Sequence, residues 1–188
     1  MTTDTLHQLY YAYLRPNRFF HNLDHIGGCF LELKKAIAAG VSIDNEQALR
    51  FAIWFHDYVY EGTRTDNEEL SAQAAYEAAI REGFSEDFAR TVQSLVLATK
   101  HTKQYPPVTS DEELICDIDL STLADPEFAK NTEAIRKEYA HVPEGIFIHE
   151  RKRILTAFLE RPYIYRTQYF RDLYEAKARA NLKTAIEN

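Results

Sequence analysis

Apolar residues recur every three or four positions along almost the whole chain and nowhere alternate over a sustained stretch. That period predicts helices at roughly 3–14, 22–39, 44–57, 67–82, 86–100, 111–122, 127–141, 144–160 and 171–186. The breakers agree: Pro16, Gly40, Gly62, Gly83, Pro106, Pro107, Pro126, Pro143 and Pro162 fall between these segments. Asp44 and Ser85 stand where N-caps are expected. Two connections are long enough to carry function, Tyr58–Asp66 and Thr102–Ser110, and the second is expected to form a lip over a pocket. No repeat, linker or shift in composition divides the 188 residues, so the expected fold is an all-α, compact, single-domain helical bundle.

Polar residues that interrupt the apolar runs are the most informative. His21 and His25 stand at either end of His-Asn-Leu-Asp-His; His56-Asp57 closes the run Phe51-Ala52-Ile53-Trp54-Phe55; Asp117 and Asp119 flank Ile118. An unpaired charge beside such runs costs several kcal/mol or shifts its pKa. One buried cation would satisfy all of these groups.

His21 and His25 are spaced i, i+4 and flank an apolar arc of Ile26, Cys29, Phe30, Leu33 and Ile37. His25, deeper in the helix, is the expected metal ligand; His21, nearer its start, is freer to donate a proton to a substrate. The plainer alternative is two boundary histidines capped by neighbours. Five consecutive apolar residues before His56-Asp57 imply a helix buried nearly all round. The alternative there is a helix ending on His56, with Asp57 starting a turn.

Asp117 and Asp119 lie about 200° apart on a helical wheel. Leu114, Ile115, Cys116, Ile118, Leu120 and Leu123 form a wide arc that includes Asp119 and excludes Asp117. Asp119 is therefore expected to be the buried carboxylate and Asp117 a rim or solvent group. His25, His56, Asp57 and Asp119 together make a mixed nitrogen and oxygen set suited to one divalent ion: Mn²⁺, Fe²⁺, Co²⁺, Ni²⁺ or Zn²⁺, and less well Mg²⁺. Such an ion activates water and polarises a bound group.

FHNLDHI (20–26), WFHDYVY (54–60), TDNEELSA (65–72), LATKH (97–101) and RPYIYRT (161–167) resemble the HD-domain superfamily, and within it a small bacterial group of predicted metal-dependent phosphohydrolases. The resemblance spans nearly the whole chain. It implies an HD-type bundle hydrolysing a phosphate ester, with a nucleotide among the candidate substrates. More distantly, FHNLDHI and Asp119-Leu120-Ser121 are similar to segments of class I cyclic-nucleotide phosphodiesterases. That similarity implies His21 as general acid and His25 as ligand. The purine-clamping glutamine of those enzymes has no counterpart located here.

Further candidates are Glu68, to orient the attacking water, and Asn22, Lys100 and His101, to bind substrate. Arg161 or Arg166 could reach phosphate. Dipole complementation accounts equally well for Glu68 at a helix start and for Lys100-His101 at a helix end. His7, His141 and His149 are read as outside the site. Two other readings stay open: a di-iron oxygenase on the same scaffold, with His101 serving a second iron, and a nucleotide-binding or sensing module that keeps its metal without catalysis.

Bulk properties narrow the partners. A net charge of −7 and a pI near 5.5 disfavour a stable nucleic-acid complex or an anionic membrane surface, but not a small phosphorylated metabolite held by a metal. The first sixteen residues lack a signal-peptide pattern, no apolar stretch approaches a membrane span, and Cys29 and Cys116 read as buried thiols without a disulfide framework. A cytoplasmic protein is expected, with a homodimer left open.

Overall fold

The computed structural model describes residues 1–187. Nine α-helices occur among them: α1 (Thr3–Tyr13), α2 (Leu23–Ala38), α3 (Glu46–Phe55), α4 (Asn67–Arg81), α5 (Glu86–Ala98), α6 (Ser110–Asp119), α7 (Phe128–Glu138), α8 (Glu144–Leu159) and α9 (Gln168–Glu187). A 3-10 segment, Leu120–Ala124, continues α6, and no strand is present among the described residues. The all-α expectation therefore holds. No helix is long and apolar enough to cross a membrane among the described residues.

Side chains fix the helix starts. Thr2, Asn22, Asn45, Ser85 and Thr109 each accept a backbone N–H of the first turn, and Thr109 forms a reciprocal capping box with Glu112. The cap of α3 is thus Asn45 and not Asp44, whose own N–H donates to Asp111 Oδ1 at 3.0 Å. At the end of α2, Gly40 takes φ +79°, and Val41 N–H reaches back to Ala36 O at 3.0 Å. That left-handed residue closes the helix where a side chain would be strained.

α3 lies at the centre, packed on α2, α4, α5 and α6. Phe51, Ala52, Ile53 and Phe55 are buried and Trp54 is half-buried, as the continuous apolar run implied. Ala72, Ala75, Ala78 and Ala79 give α4 a small-residue face against α5, where Ala89, Val92, Leu95 and Val96 are buried. α8 and α9 pack on each other, and α9 also packs on the Leu120–Ala124 segment.

Asp117 is a correction. It is 0% exposed, not at the rim. Oδ1 accepts the N–H of Arg166, and Oδ2 accepts the N–H and hydroxyl of Thr167, each at 2.7 Å. Burial pushes its pKa up to about 6, against these donors. It anchors the turn that leads into α9. Asp119, the expected buried partner, keeps 20% of its side chain exposed, which opens it to a cavity.

Candidate metal centre

Four turns meet at the inner ends of α2, α3, α5 and α6. His25 lies in the first turn of α2, held by the Asn22 cap, whose Oδ1 accepts the N–H of Asp24 at 2.9 Å and of His25 at 3.3 Å. α2 starts at Leu23, so His21 lies before the helix and does not share a helical face with His25. α3 stops at Phe55, with His56 as C-cap and Asp57 in the turn beyond. That release from helical geometry lets two adjacent side chains converge.

They do converge. His56 Nε2 lies 3.1 Å from Asp57 Oδ2 and 3.5 Å from Asp119 Oδ1. His25 Nε2 lies 3.2 Å from Asp119 Oδ1, 3.5 Å from Asp57 Oδ2 and 3.2 Å from His56 Nε2. Donors about 2.0–2.2 Å from one ion stand about 2.8–3.6 Å apart in octahedral-cis or tetrahedral arrangements. All five separations fall in that window.

The donor chemistry also fits a cation. His56 Nδ1 lies 2.9 Å from Ile53 O, which can only accept, so that nitrogen carries a proton and Nε2 is the atom that faces the cluster. Asp57 Oδ2 is buried and makes no hydrogen bond among the described residues, despite two imidazole nitrogens nearby. His25 Nδ1 is likewise buried without a partner, and a divalent ion would give Asp57 Oδ2 and both Nε2 atoms a common one. Burial works against a charged His56, but the adjacent Asp57 and Asp119 outweigh it and raise its pKa well above the usual imidazole range. Burial likewise opposes ionised Asp57, but His56 and His21 more than compensate and hold it well below the usual carboxylate range.

Cys29 is a neighbour that the sequence reading placed only as a buried thiol. Its Sγ is 3.8 Å from His25 Nε2, and donor atoms of His25, Cys29 and His56 lie within 4.8 Å of one another. Burial drives its pKa far above the ordinary thiol value. The two carboxylates are charged and nearer to both imidazoles, so they rank before the neutral thiol as ligands.

His101 adopts φ 55°, a left-handed conformation that costs a non-glycine residue about 1–2 kcal/mol. There its Nε2 meets Asp119 Oδ2 at 2.8 Å, leaving Oδ1 to the histidines. Arg161 steadies this turn by donating to His101 O at 3.3 Å. His101 thus orients Asp119 and also lines the cavity. Lys100 lines the cavity too, but its Nζ is taken by Glu69 at 2.5 and 2.6 Å and by Thr65 O at 2.7 Å. Glu68 lines the same wall, and burial raises its pKa. Asn22 is spent on its cap and on Phe19 O, and it does not line this cavity. Arg166 does not line it either.

The cavity measures about 540 Å³. His21, Asp57, Tyr60, Glu68, His101 and Asp119 make its polar end. The Thr102–Ser110 connection, expected as a lip, does not line it; Tyr139, Val142 and α8 take that position.

Two residues absent from the sequence reading position the centre. Glu138, the last residue of α7, accepts the N–H groups of Phe19, Phe20 and His21 on Oε1 at 2.8, 2.7 and 2.9 Å. Its Oε2 meets His21 Nδ1 at 2.7 Å, and Tyr60 stacks on the same imidazole at 3.8 Å between centroids. Gly62 makes room, because a Cβ there would sit 3.1 Å from Glu138 O. Arg18 is buried and donates to Asp57 O at 2.6 Å, Tyr58 O at 2.7 Å and His21 O at 3.2 Å. It clamps the turn before α2 to the turn after α3. Nothing local in the sequence marks either residue: Glu138 is one acid among many near charged helix ends, and Arg18 sits in a short loop.

Comparison with known proteins returns no match: no family model, no curated protein and no solved structure is significantly similar to this chain.

Proposed function

We propose that the chain is a metal-dependent hydrolase of a phosphate ester, with His25, His56, Asp57 and Asp119 holding one divalent ion. The carrying observation is the convergence of these four donors around the unsatisfied Asp57 Oδ2, at the polar end of a cavity of small-molecule size. When bound, a divalent ion supplies Lewis-acid chemistry: it lowers the pKa of a water and offsets charge developing on phosphoryl oxygens.

The remaining roles belong to protein side chains. The hydrogen bond between His21 Nδ1 and Glu138 Oε2 orients the ring, and Nε2 is the atom that passes a proton to the departing oxygen. Afterwards the ring is neutral and still bonded to Glu138. Tyr60 holds the ring plane by stacking. Glu68, at the cavity wall, accepts a hydrogen bond from the attacking water. His101 holds Asp119 in its two-sided arrangement, and Lys100 neutralises Glu69 beside Glu68.

The resemblance to HD-type phosphohydrolases points the same way. The test is phosphate release from a panel of phosphomonoesters and nucleotides with Mn²⁺, Co²⁺, Ni²⁺ and Mg²⁺ in parallel. Turnover that depends on metal and on His56 is expected. A His56→Ala protein with full metal content and full turnover refutes the reading. An oxidised di-iron absorption band from anaerobically purified protein replaces it with the oxygenase, and tight nucleotide binding without turnover replaces it with a sensor.

A further inference from the structure

One wall of the cavity differs in kind from its polar end. Ile135 on α7, Val142 in the following connection, and Ile146, Phe147 and Ile154 on α8 line it. Ile146 is 56% and Ile154 40% exposed, so this apolar wall faces solvent. Among these apolar residues sits one cation, Arg151.

Arg151 makes no hydrogen bond and no ion pair among the described residues, and its Nε is buried without a partner. Its guanidinium lies 6.0 Å from the Phe128 ring centroid and within electrostatic reach of the Tyr60 and Tyr139 hydroxyls. Lys100, the other Lys or Arg side chain that lines the cavity, is spent on Glu69 and Thr65 O. Glu150, next in sequence and also at the wall, pairs with Arg153 at 2.8 Å and leaves Arg151 uncompensated. Burial alone lowers the Arg151 pKa. A half-buried guanidinium whose Nε–H is buried without an acceptor is costly unless something supplies one, and its planar fork matches a carboxylate or phosphoryl group best.

We infer that the substrate is two-ended: a phosphate ester with an apolar body that packs on the α7–α8 wall and carries a second anionic group, carboxylate or phosphoryl, bound by Arg151. The inference rests on the phosphohydrolase reading for the identity of the first end only. It requires of Arg151 a binding role and no part in bond cleavage.

The test is calorimetric binding of non-hydrolysable phosphonates to the full chain with and without Mn²⁺. A graded series of alkyl chain lengths carries a methyl, a carboxylate or a second phosphonate at the far end. At the best length, an anionic end is expected to tighten binding about 10–100-fold over the methyl end. The better of the two anionic ends identifies the group. Arg151→Met is expected to reduce that preference to within about threefold, and Arg151→Lys to keep part of it. Equal binding of all three ends by the unaltered protein at every length overturns the inference without needing a variant. So does a preference that survives Arg151→Met. If Mn²⁺ does not strengthen phosphonate binding but the Arg151-dependent preference remains, the hydrolase reading fails and the second anion site stands.

Discussion

Asp117 and Asp119 lie two residues apart on α6 and make opposite predictions for one measurement. Asp119→Asn removes a charge whose Oδ1 lies 3.2 Å from His25 Nε2 and 3.5 Å from His56 Nε2. A metal at about 100 times its Kd stabilises the native state by about 2.7 kcal/mol. At about 2–4 °C per kcal/mol for a chain of this size, that is a rise of about 5–11 °C. Groups one step behind a metal ligand already cost about 10–100-fold in affinity when removed, so loss of a ligand is taken as at least 100-fold. At the same metal concentration the gain then falls to about 0.4 kcal/mol, or about 1–2 °C. Asp117→Asn instead replaces an acceptor of three short hydrogen bonds with a group that can accept on one side only. The expected loss is about 3 kcal/mol, or roughly 6–12 °C, with the metal-induced rise intact. Differential scanning calorimetry of the three proteins, chelator-treated and then titrated with Mn²⁺, Co²⁺ or Zn²⁺, reads both quantities. An Asp119→Asn protein that keeps the whole metal-induced rise refutes the assignment of the centre.

Other outcomes follow from neighbouring contacts. Glu138→Gln is expected to lower kcat by roughly tenfold with metal content unchanged, whereas His21→Ala is expected to lose about 10²–10⁴-fold; steady-state kinetics with metal analysis checks both. Arg18→Met removes three bonds to buried carbonyls and is expected to destabilise by about 2–4 kcal/mol in urea and weaken metal binding, since the turns carrying His21 and Asp57 come apart. Glu82 links α4 to α1: burial raises its pKa, but the hydroxyls of Thr5 and Thr2 outweigh that and hold it at about 2. A lowered carboxylate pKa contributes stability that is full above the ordinary value near 4.5 and is lost as pH falls toward 2. Glu82→Gln is expected to flatten stability over that acid window, read by urea unfolding at stepped pH, and an unchanged profile counts against the link.

The repeat of apolar positions was sufficient for the helices, because burying one face of each segment is a local requirement. Helix ends were less readable: whether Asp44 or Asn45 caps α3 depends on Asp111, which takes the Asp44 and Asn45 N–H groups from another helix. His25, His56, Asp57 and Asp119 stood out as polar residues set against apolar runs, and they do meet in space. Their meeting was not itself readable. On the helix expected over 44–57, adjacent side chains diverge by about 100°, and the end of α3 at Phe55 frees Asp57 from that geometry.

Asp117 carries the plainest lesson. An apolar arc drawn on α6 ranks faces of one helix, and it left Asp117 outside. The tertiary structure brings the N–H groups of Arg166 and Thr167, 49 and 50 residues away, to that side chain and so makes its burial tolerable. Glu138 reaches His21 across 117 residues in the same way. Sequence alone determines which segments hide a face and which residues carry chemistry. Which charges are compensated, and which one at Arg151 is left over, depends on partners far along the chain, and the tertiary structure alone decides it.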